Sequence, residues 1–325
     1  MIAAVTGASG FIGRALALRL AASGANVLAL VRDTAKAGDL SDTPGIELVR
    51  GDLRDPALLG DLAGRSGIVY HLAGLTSARS RGEFIAVNAK ITGALAAAAA
   101  RSPAPPKLVL VSSLSVAGPR TATRPAREDD PPAPMNGYAE SKLLGEELLR
   151  REGAGLRWTV VRPPWVYGPG DRATLPLFRL AARGFFPNVR GGCMQISMVH
   201  VHDLVEALVL AGDSAAADGR VYYAADGVAH TVAQLGQALL AACGGGRALH
   251  VPGFVFRFLG LAGEAGAWLT RRPPQLGRDK TCEGLQSGWV CDDARIRAEL
   301  GYRSRVGLEE GVAATLAWYR TQGWL

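Results

Sequence analysis

A chain of 325 residues, 48% of them apolar, is long enough to bury a large core divided between a main domain and a smaller lobe. The net charge of +7 comes from arginines scattered on an Ala- and Gly-rich background, without a basic run or an aromatic RNA motif; this excludes nucleic acid as the expected partner and favours an anionic cofactor. Cys193, Cys243, Cys282 and Cys291 stand in no metal or disulfide spacing and read as reduced, buried thiols of a cytoplasmic protein, and Met1 leads directly into a strand rather than a signal peptide.

Ile2-Ala3-Ala4-Val5 is a short apolar run of strand type, and Thr6-Gly7-Ala8-Ser9-Gly10-Phe11-Ile12-Gly13 follows at once. Residues 14–22 then repeat apolar side chains at helical spacing, and Gly24 stops the helix. Strand, glycine turn and helix together form a dinucleotide-binding site made of Gly7, Ser9, Gly10, Phe11, Ile12 and Gly13. Gly7 allows the tight turn, Gly10 admits the pyrophosphate to the backbone, and Gly13 lets helix and strand pack closely. The helix N-terminus faces the anion.

The next strand, residues 26–31, ends in Arg32-Asp33. A basic residue at this tip suits a 2′-phosphate and an acidic one a ribose diol, so Arg32 favours NADP(H) over NAD(H). The alternative has Arg32 stacked on adenine and Asp33 turned to the ribose. Farther along, residues 95–100 form an alanine-rich helix on the sheet, and residues 108–111 and 158–161 are buried parallel strands leading into functional loops. Residues 119–134, rich in Pro, Arg and acidic side chains, read as an exposed loop beside the active site. Residues 221–224 form a late strand, and Thr231 caps a helix running to about Cys243. The apolar stretch 251–269 is interrupted by Arg257 and Glu264 and falls short of a bilayer span. It reads as a helix of the substrate lobe; the alternative is peripheral membrane contact with Arg271-Arg272 at its end.

Tyr138 and Lys142, in Asn136-Gly137-Tyr138-Ala139-Glu140-Ser141-Lys142, are spaced to share one helix face. A tyrosine with an ordinary pKa of about 10 is a poor base at neutral pH, and a lysine ammonium alongside is expected to favour its phenolate. Ser113 can hold a substrate oxygen while Tyr138 gives or takes its proton. A solvated helix carrying the same spacing is the alternative for this motif taken alone.

Further segments follow in order: Gly51-Asp52-Leu53-Arg54-Asp55, His71-Leu72-Ala73-Gly74, Val87-Asn88 with Gly93, Val111-Ser112-Ser113-Leu114-Ser115, Arg162-Pro163-Pro164-Trp165-Val166-Tyr167-Gly168-Pro169-Gly170-Asp171, and Val199-His200-Val201-His202-Asp203-Leu204. With them the chain resembles the extended short-chain dehydrogenase/reductase family over most of its length. The resemblance implies that Asp52, with Leu53, meets the adenine amino group, and that Leu72, Ala73 and Gly74 lie beside the nicotinamide ribose. It implies further that Asn88 organises the active-site helix and that Pro163, Pro164 and Val166 close over the nicotinamide. Ser113, Tyr138 and Lys142 are then the catalytic set.

The expected fold is α/β, a Rossmann-type doubly wound parallel sheet with a smaller C-terminal α/β substrate lobe. Residues 1–170 form the dinucleotide-binding domain, with 199–228 returning to it; 171–198 and 229–325 form the lobe. Two departures from the family pattern narrow the chemistry. Leu114-Ser115 replaces the acidic pair of nucleotide-sugar dehydratases, and Trp165 and Ile196 stand where epimerases place diphosphate-clamping Asn and Arg. Arg172, Arg179 or Arg190 could supply that clamp from elsewhere. The motifs look more like the 3β-hydroxysteroid dehydrogenase and dihydroflavonol reductase branches. The expected function is an NADP(H)-dependent interconversion of a ketone and a secondary alcohol on a largely apolar small molecule, with Phe185-Phe186, Met194, Met198 and residues 254–261 available to wall its pocket. A nucleotide-sugar epimerase is the alternative, and a non-catalytic NADP-binding subunit is the alternative of another class, opposed by the intact Ser113, Tyr138 and Lys142. Self-association as a homodimer stays open.

Overall fold

Val27, Ala29 and Val31 of one strand pack with Leu16, Leu204 and Leu208 on one face of a sheet; Leu28 and Leu30 pack with Leu59, Leu62 and Leu95 on the other. An unbroken apolar run is what a strand buried on both faces requires, and it directs the chain to a sheet between two helix layers. The computed structural model describes residues 1–270 and 277–325. The chain begins with β1 (Ile2–Thr6), α1 (Phe11–Ala22), β2 (Asn26–Val31), β3 (Ile46–Arg50), α2 (Pro56–Arg65) and β4 (Ile68–His71). A short α3 (Arg81–Phe84) passes through a π-helical turn (Ile85–Lys90) into α4 (Ile91–Ala100). Then come β5 (Lys107–Val111), α5 (Gly137–Glu152) and β6 (Trp158–Arg162).

The chain leaves this sheet through β7 (Trp165–Tyr167), α6 (Leu175–Ala182), β8 (Phe185–Val189) and β9 (Gln195–His200), and returns with α7 (Val201–Asp213) and β10 (Arg220–Tyr223). It ends through β11 (Ala229–Thr231), α8 (Val232–Ala242), β12 (Arg247–Val251), α9 (Gly253–Thr270), α10 (Arg278–Gly284), β13 (Gly288–Trp289), α11 (Ala294–Leu300) and α12 (Leu308–Thr321).

The main sheet is parallel throughout, in the order β10-β6-β5-β4-β1-β2-β3. The order reverses between β1 and β4, so a crevice opens at the carboxyl ends of those two strands, where doubly wound folds bind ligands. This is the expected Rossmann architecture. A second core of Phe178, Phe186, Met198, Leu235, Leu239, Leu316 and Tyr319 holds the smaller lobe, where β9 pairs with β7, β11 and β13 and β12 pairs with β8. Thr231 caps α8 with a full capping box, its hydroxyl accepting from Gln234 N while the Gln234 side chain accepts from Thr231 N.

Three local expectations need correction or qualification. Residues 119–134 are a largely exposed loop, as expected, with only Ala126 buried, but the loop is tied down. Arg120 and Ala126 form bridges to Trp289 and Cys291, and Tyr223 N donates to the Glu128 carboxylate at 3.1 Å. The segment is sewn to the lobe because its backbone groups find partners there. Of the four cysteines only Cys291 is buried; Cys193 and Cys282 are exposed on the lobe surface, and all four are free thiols. The third correction concerns α9, which is a lobe helix but turns little of its apolar surface inward. Phe256 meets α10 at Gly284 and Gly260 meets it at Thr281. Phe254, Phe258 and Leu261, at i, i+4 and i+7, point outward at 75%, 68% and 49% exposure. Arg271 and Arg272 lie outside the described residues.

Candidate active site

The glycine turn sits at the crevice between β1 and β4. Gly7 adopts φ +72°, in the left-handed region, and a methyl on Gly13 would lie 2.2 Å from the Gly7 carbonyl oxygen, so only glycine fits. Gly10 is the N-cap of α1 and has no side chain to cap it, which leaves the first-turn N–H groups near Phe11 and Ile12 to an anion. Ser9 is exposed in the same turn. These features fit a dinucleotide pyrophosphate.

Arg32 follows the last residue of β2 and is exposed; its charge reaches Asp52 at the end of β3. The Asp52 carboxylate accepts from Arg54, whose hydrogen bonds hold its pKa down at about 2. Leu53 is partly buried beside it. Asp33 is half exposed and lies 3.7 Å from the Lys36 ammonium. It caps the short turn Thr34–Lys36, accepting from Ala35 N at 3.1 Å. Arg14 of α1, which the sequence did not single out, donates to Ala37 O and pairs with Asp39, placing a second guanidinium over the loop after β2.

The end of β4 is locked by Thr6 and His71, neighbours in register, with Thr6 Oγ1 2.7 Å from His71 Nδ1 and Thr92 Oγ1 3.1 Å from Nε2. Burial first, and the Lys142 charge second, push the His71 pKa down to about 3, so this imidazole is a neutral spacer. Ala73 N donates to Thr6 Oγ1 at 3.3 Å, and Leu72 packs on the main core. A methyl on Gly74 would lie 3.0 Å from Asn88 Oδ1 and 3.3 Å from Lys142 Nζ. Asn88 occupies the π-helical turn, an irregularity common at functional sites. It accepts from Leu75 N at 2.7 Å and donates to Leu75 O and to Ser141 Oγ, so it ties the β4 loop to α5.

α5 begins at Asn136, whose side chain accepts from Ala139 N at 2.9 Å, and the 3.6-residue period puts Tyr138 and Lys142 on the crevice side. Ser113 Oγ accepts from Ser115 N and from the Ser115 hydroxyl, which leaves its own proton to donate, and it hydrogen-bonds Tyr138. Phe84 holds the Tyr138 ring edge-on at 5.8 Å. Lys142 Nζ donates to Val111 O at 3.0 Å.

The expected phenolate-favouring effect of Lys142 is not seen. Burial pushes the Tyr138 pKa up to about 12; the Ser113 hydrogen bond opposes this and the Glu283 charge adds to it. Burial also brings Lys142 down to about 8, opposed by Glu146. The enclosing apolar walls outweigh an ammonium aimed at a backbone carbonyl. The raised pKa favours the phenol form of Tyr138, which is able to donate a proton.

Pro163 is buried and its carbonyl accepts from Leu114 N at 2.9 Å, joining the end of β6 to the Ser113 loop. Val166 is paired in β7 opposite Val199 and packs on the main core, while Pro164 and Trp165 face a cavity. This cavity of about 1270 Å³ begins at Ser113 and Tyr138 and runs into the lobe between Leu177, Phe186, Met194 and Leu235. Phe185 and Met198 do not reach it, being exposed and packed in the lobe core respectively, and of residues 254–261 only Phe256 does. Arg172, Arg179 and Arg190 do not line it. They are spent on the Trp324 ring, on Trp324 O and on Leu285 O. Among the described residues, the arginines that do reach it, Arg79, Arg81 and Arg278, are paired with Glu83, Glu140 and Glu264, and Lys280 of α10 also lines it. Glu283, also missed by sequence reasoning, enters from α10 and accepts from Asn136 Nδ2 at 2.6 Å.

The model of the NAD dependent epimerase/dehydratase family matches residues 3–225. The chain belongs to this family. Within it the chain is an extended short-chain dehydrogenase/reductase, an NAD(P)-dependent oxidoreductase. It is 35% identical to a ceramide reductase of Caulobacter vibrioides, with 100% of this chain and 96% of that protein covered. It is 32% identical to the 4-hydroxy-2-methyl-3-oxo-4-farnesyl-3,4-dihydroquinoline-1-oxide ketoreductase of Stigmatella aurantiaca, over 95% and 94% of the two chains. Among solved structures it is similar to MoeE5 in complex with UDP-glucuronic acid and NAD, at 27% identity and a TM-score of 0.78, covering 99% of this chain and 100% of that one.

Proposed function

We propose that the chain is an NADP(H)-dependent reductase that converts a ketone on a largely apolar, lipid-like substrate to a secondary alcohol. The observation that carries this reading is the cavity. It leads from a protonated Tyr138 into apolar walls, and the guanidinium groups on its rim are already paired with carboxylates. A nucleotide diphosphate would need charge-assisted donors there. A long acyl or prenyl chain needs the apolar walls. The names of the two relatives, a ceramide reductase and a farnesyl-bearing quinoline ketoreductase, point the same way.

When bound, the nicotinamide dinucleotide supplies the hydride. The chain's own residues do the rest. Ser113 orients the carbonyl oxygen by turning to it the proton it otherwise gives to Tyr138, and Tyr138 donates the proton that this oxygen acquires. Lys142, held at Val111 O beside Gly74, would stand at the ribose side of a bound dinucleotide. Arg32 supports NADP(H), because it stands exposed at the tip of β2 while Asp33 is engaged in its own turn.

Initial rates with NADPH and NADH over ketones of increasing chain length test the reading. The ratio kcat/KM should rise about fourfold per added methylene until the cavity is filled, from ~0.8 kcal/mol each. NADPH should outperform NADH about tenfold or more, as a charge-assisted contact to the 2′-phosphate implies. A flat response to chain length would remove the apolar-substrate reading, and equal use of both cofactors would remove the role of Arg32.

A further inference from the structure

The walls of the cavity are apolar where it enters the lobe, yet a carboxylate stands at its reacting end. Glu283 lines the cavity together with Tyr138 and is close enough that its charge raises the tyrosine's pKa. It is fixed there rather than floating. Asn136, the N-cap of the helix that carries Tyr138, accepts from Ala139 N with its amide oxygen and so must present its amide N–H₂ to Glu283, 2.6 Å away. Trp289 Nε1 donates to the Glu283 carbonyl at 3.0 Å and pins the backbone of α10 beneath it.

We propose that Glu283 reads a hydrogen-bond donor, a secondary amide N–H or a hydroxyl, carried by the substrate next to the ketone. The inference rests on the ketone-reductase reading and names the substrate class within it. A carboxylate only accepts, at about four lone-pair positions, and Asn136 uses one of them. The remaining positions face a site where burial already pushes the Glu283 carboxyl above the usual range. Lys280, one turn earlier on α10 and also lining the cavity, attracts the carboxylate, and Asp279 beside it repels it. A plain dialkyl ketone brings only acceptors and adds no donor to it. A ketone with an amide N–H on the adjacent carbon satisfies it while its carbonyl turns to Ser113 and Tyr138. Sites built to bond a substrate N–H or O–H discriminate strongly against analogues that lack it.

The test compares two ligands of equal length: a long-chain ketone bearing a secondary amide on the adjacent carbon, and the same molecule N-methylated. Binding is read from quenching of Trp165 and Trp289, which line the cavity, so the readout does not require turnover. The unmodified protein should bind the N–H ligand about tenfold to a hundredfold more tightly. Glu283→Ala should reduce the preference to less than about threefold. Glu283→Gln, which keeps an acceptor for Asn136, should retain an intermediate preference with an unchanged melting temperature. A preference that persists in Glu283→Ala, or equal weakening of both ligands as a purely structural Asn136–Glu283 contact would give, overturns the proposal. So does the absence of any preference, or of measurable binding of the N–H ligand, in the unmodified protein. Failure of the ketone-reductase reading shows instead as ligand preference without reduction of either ketone.

Discussion

Tyr138→Phe should lower kcat about a hundredfold or more while cofactor affinity stays within about threefold of the unmodified protein. The substitution keeps the ring, and with it the edge-on contact to Phe84, so α5 and the wall of the cavity should be undisturbed. What is lost is the hydroxyl bonded to Ser113, the phenol that burial keeps protonated well above neutral pH. Ser113 could still hold the carbonyl but would have no acid beside it. Steady-state rates together with a titration of cofactor binding check this, and near-normal turnover would assign the proton to another group.

Glu146→Ala should destabilise the fold by about 3–5 kcal/mol, the usual cost of leaving one partner of a buried pair alone. Glu146 is fully buried on α5, one turn beyond Lys142, and receives Arg162 at 2.9 and 2.7 Å and the Ser112 hydroxyl at 2.6 Å. Without it the Arg162 guanidinium would keep, among the described residues, only Tyr223, whose hydroxyl is at 3.2 Å and whose ring it overlies. The network also positions chemistry. Ser112 precedes Ser113, Arg162 precedes Pro163, and Lys142 shares the helix, so one carboxylate holds three functional segments in place. Activity should therefore fall even under conditions where the variant is fully folded. Denaturant unfolding gives the stability, and a loss below about 1 kcal/mol would show that Arg162 finds another partner.

The sequence was most legible where the physics is local or repeated. Buried parallel strands appear as unbroken apolar runs such as Asn26–Val31, and the glycine turn declares itself because Gly7 and Gly13 have no room for a side chain. The spacing of Tyr138 and Lys142 sets their common helix face regardless of context. Legibility failed where a partner distant in sequence decides the outcome. Nothing in residues 119–134 announces that Ala126 will bridge Cys291. The rise in the Tyr138 pKa is not legible either, because its main cause is burial, which the sequence does not display. Glu283 lies in a segment without any motif, and only the folding of α10 against Asn136 brings it to the site. The apolar stretch 251–269 was correctly read as helical, but composition could not tell that Phe254 and Phe258 would point outward.

The most direct measurement is the net consumption of NADPH with a long-chain ketone and, separately, with UDP-glucose. The account predicts one NADPH oxidised per ketone reduced to its secondary alcohol, driven by Tyr138 as proton donor, and no consumption or conversion with UDP-glucose. Conversion of UDP-glucose to its epimer without net cofactor turnover, while long-chain ketones remain untouched, would contradict it.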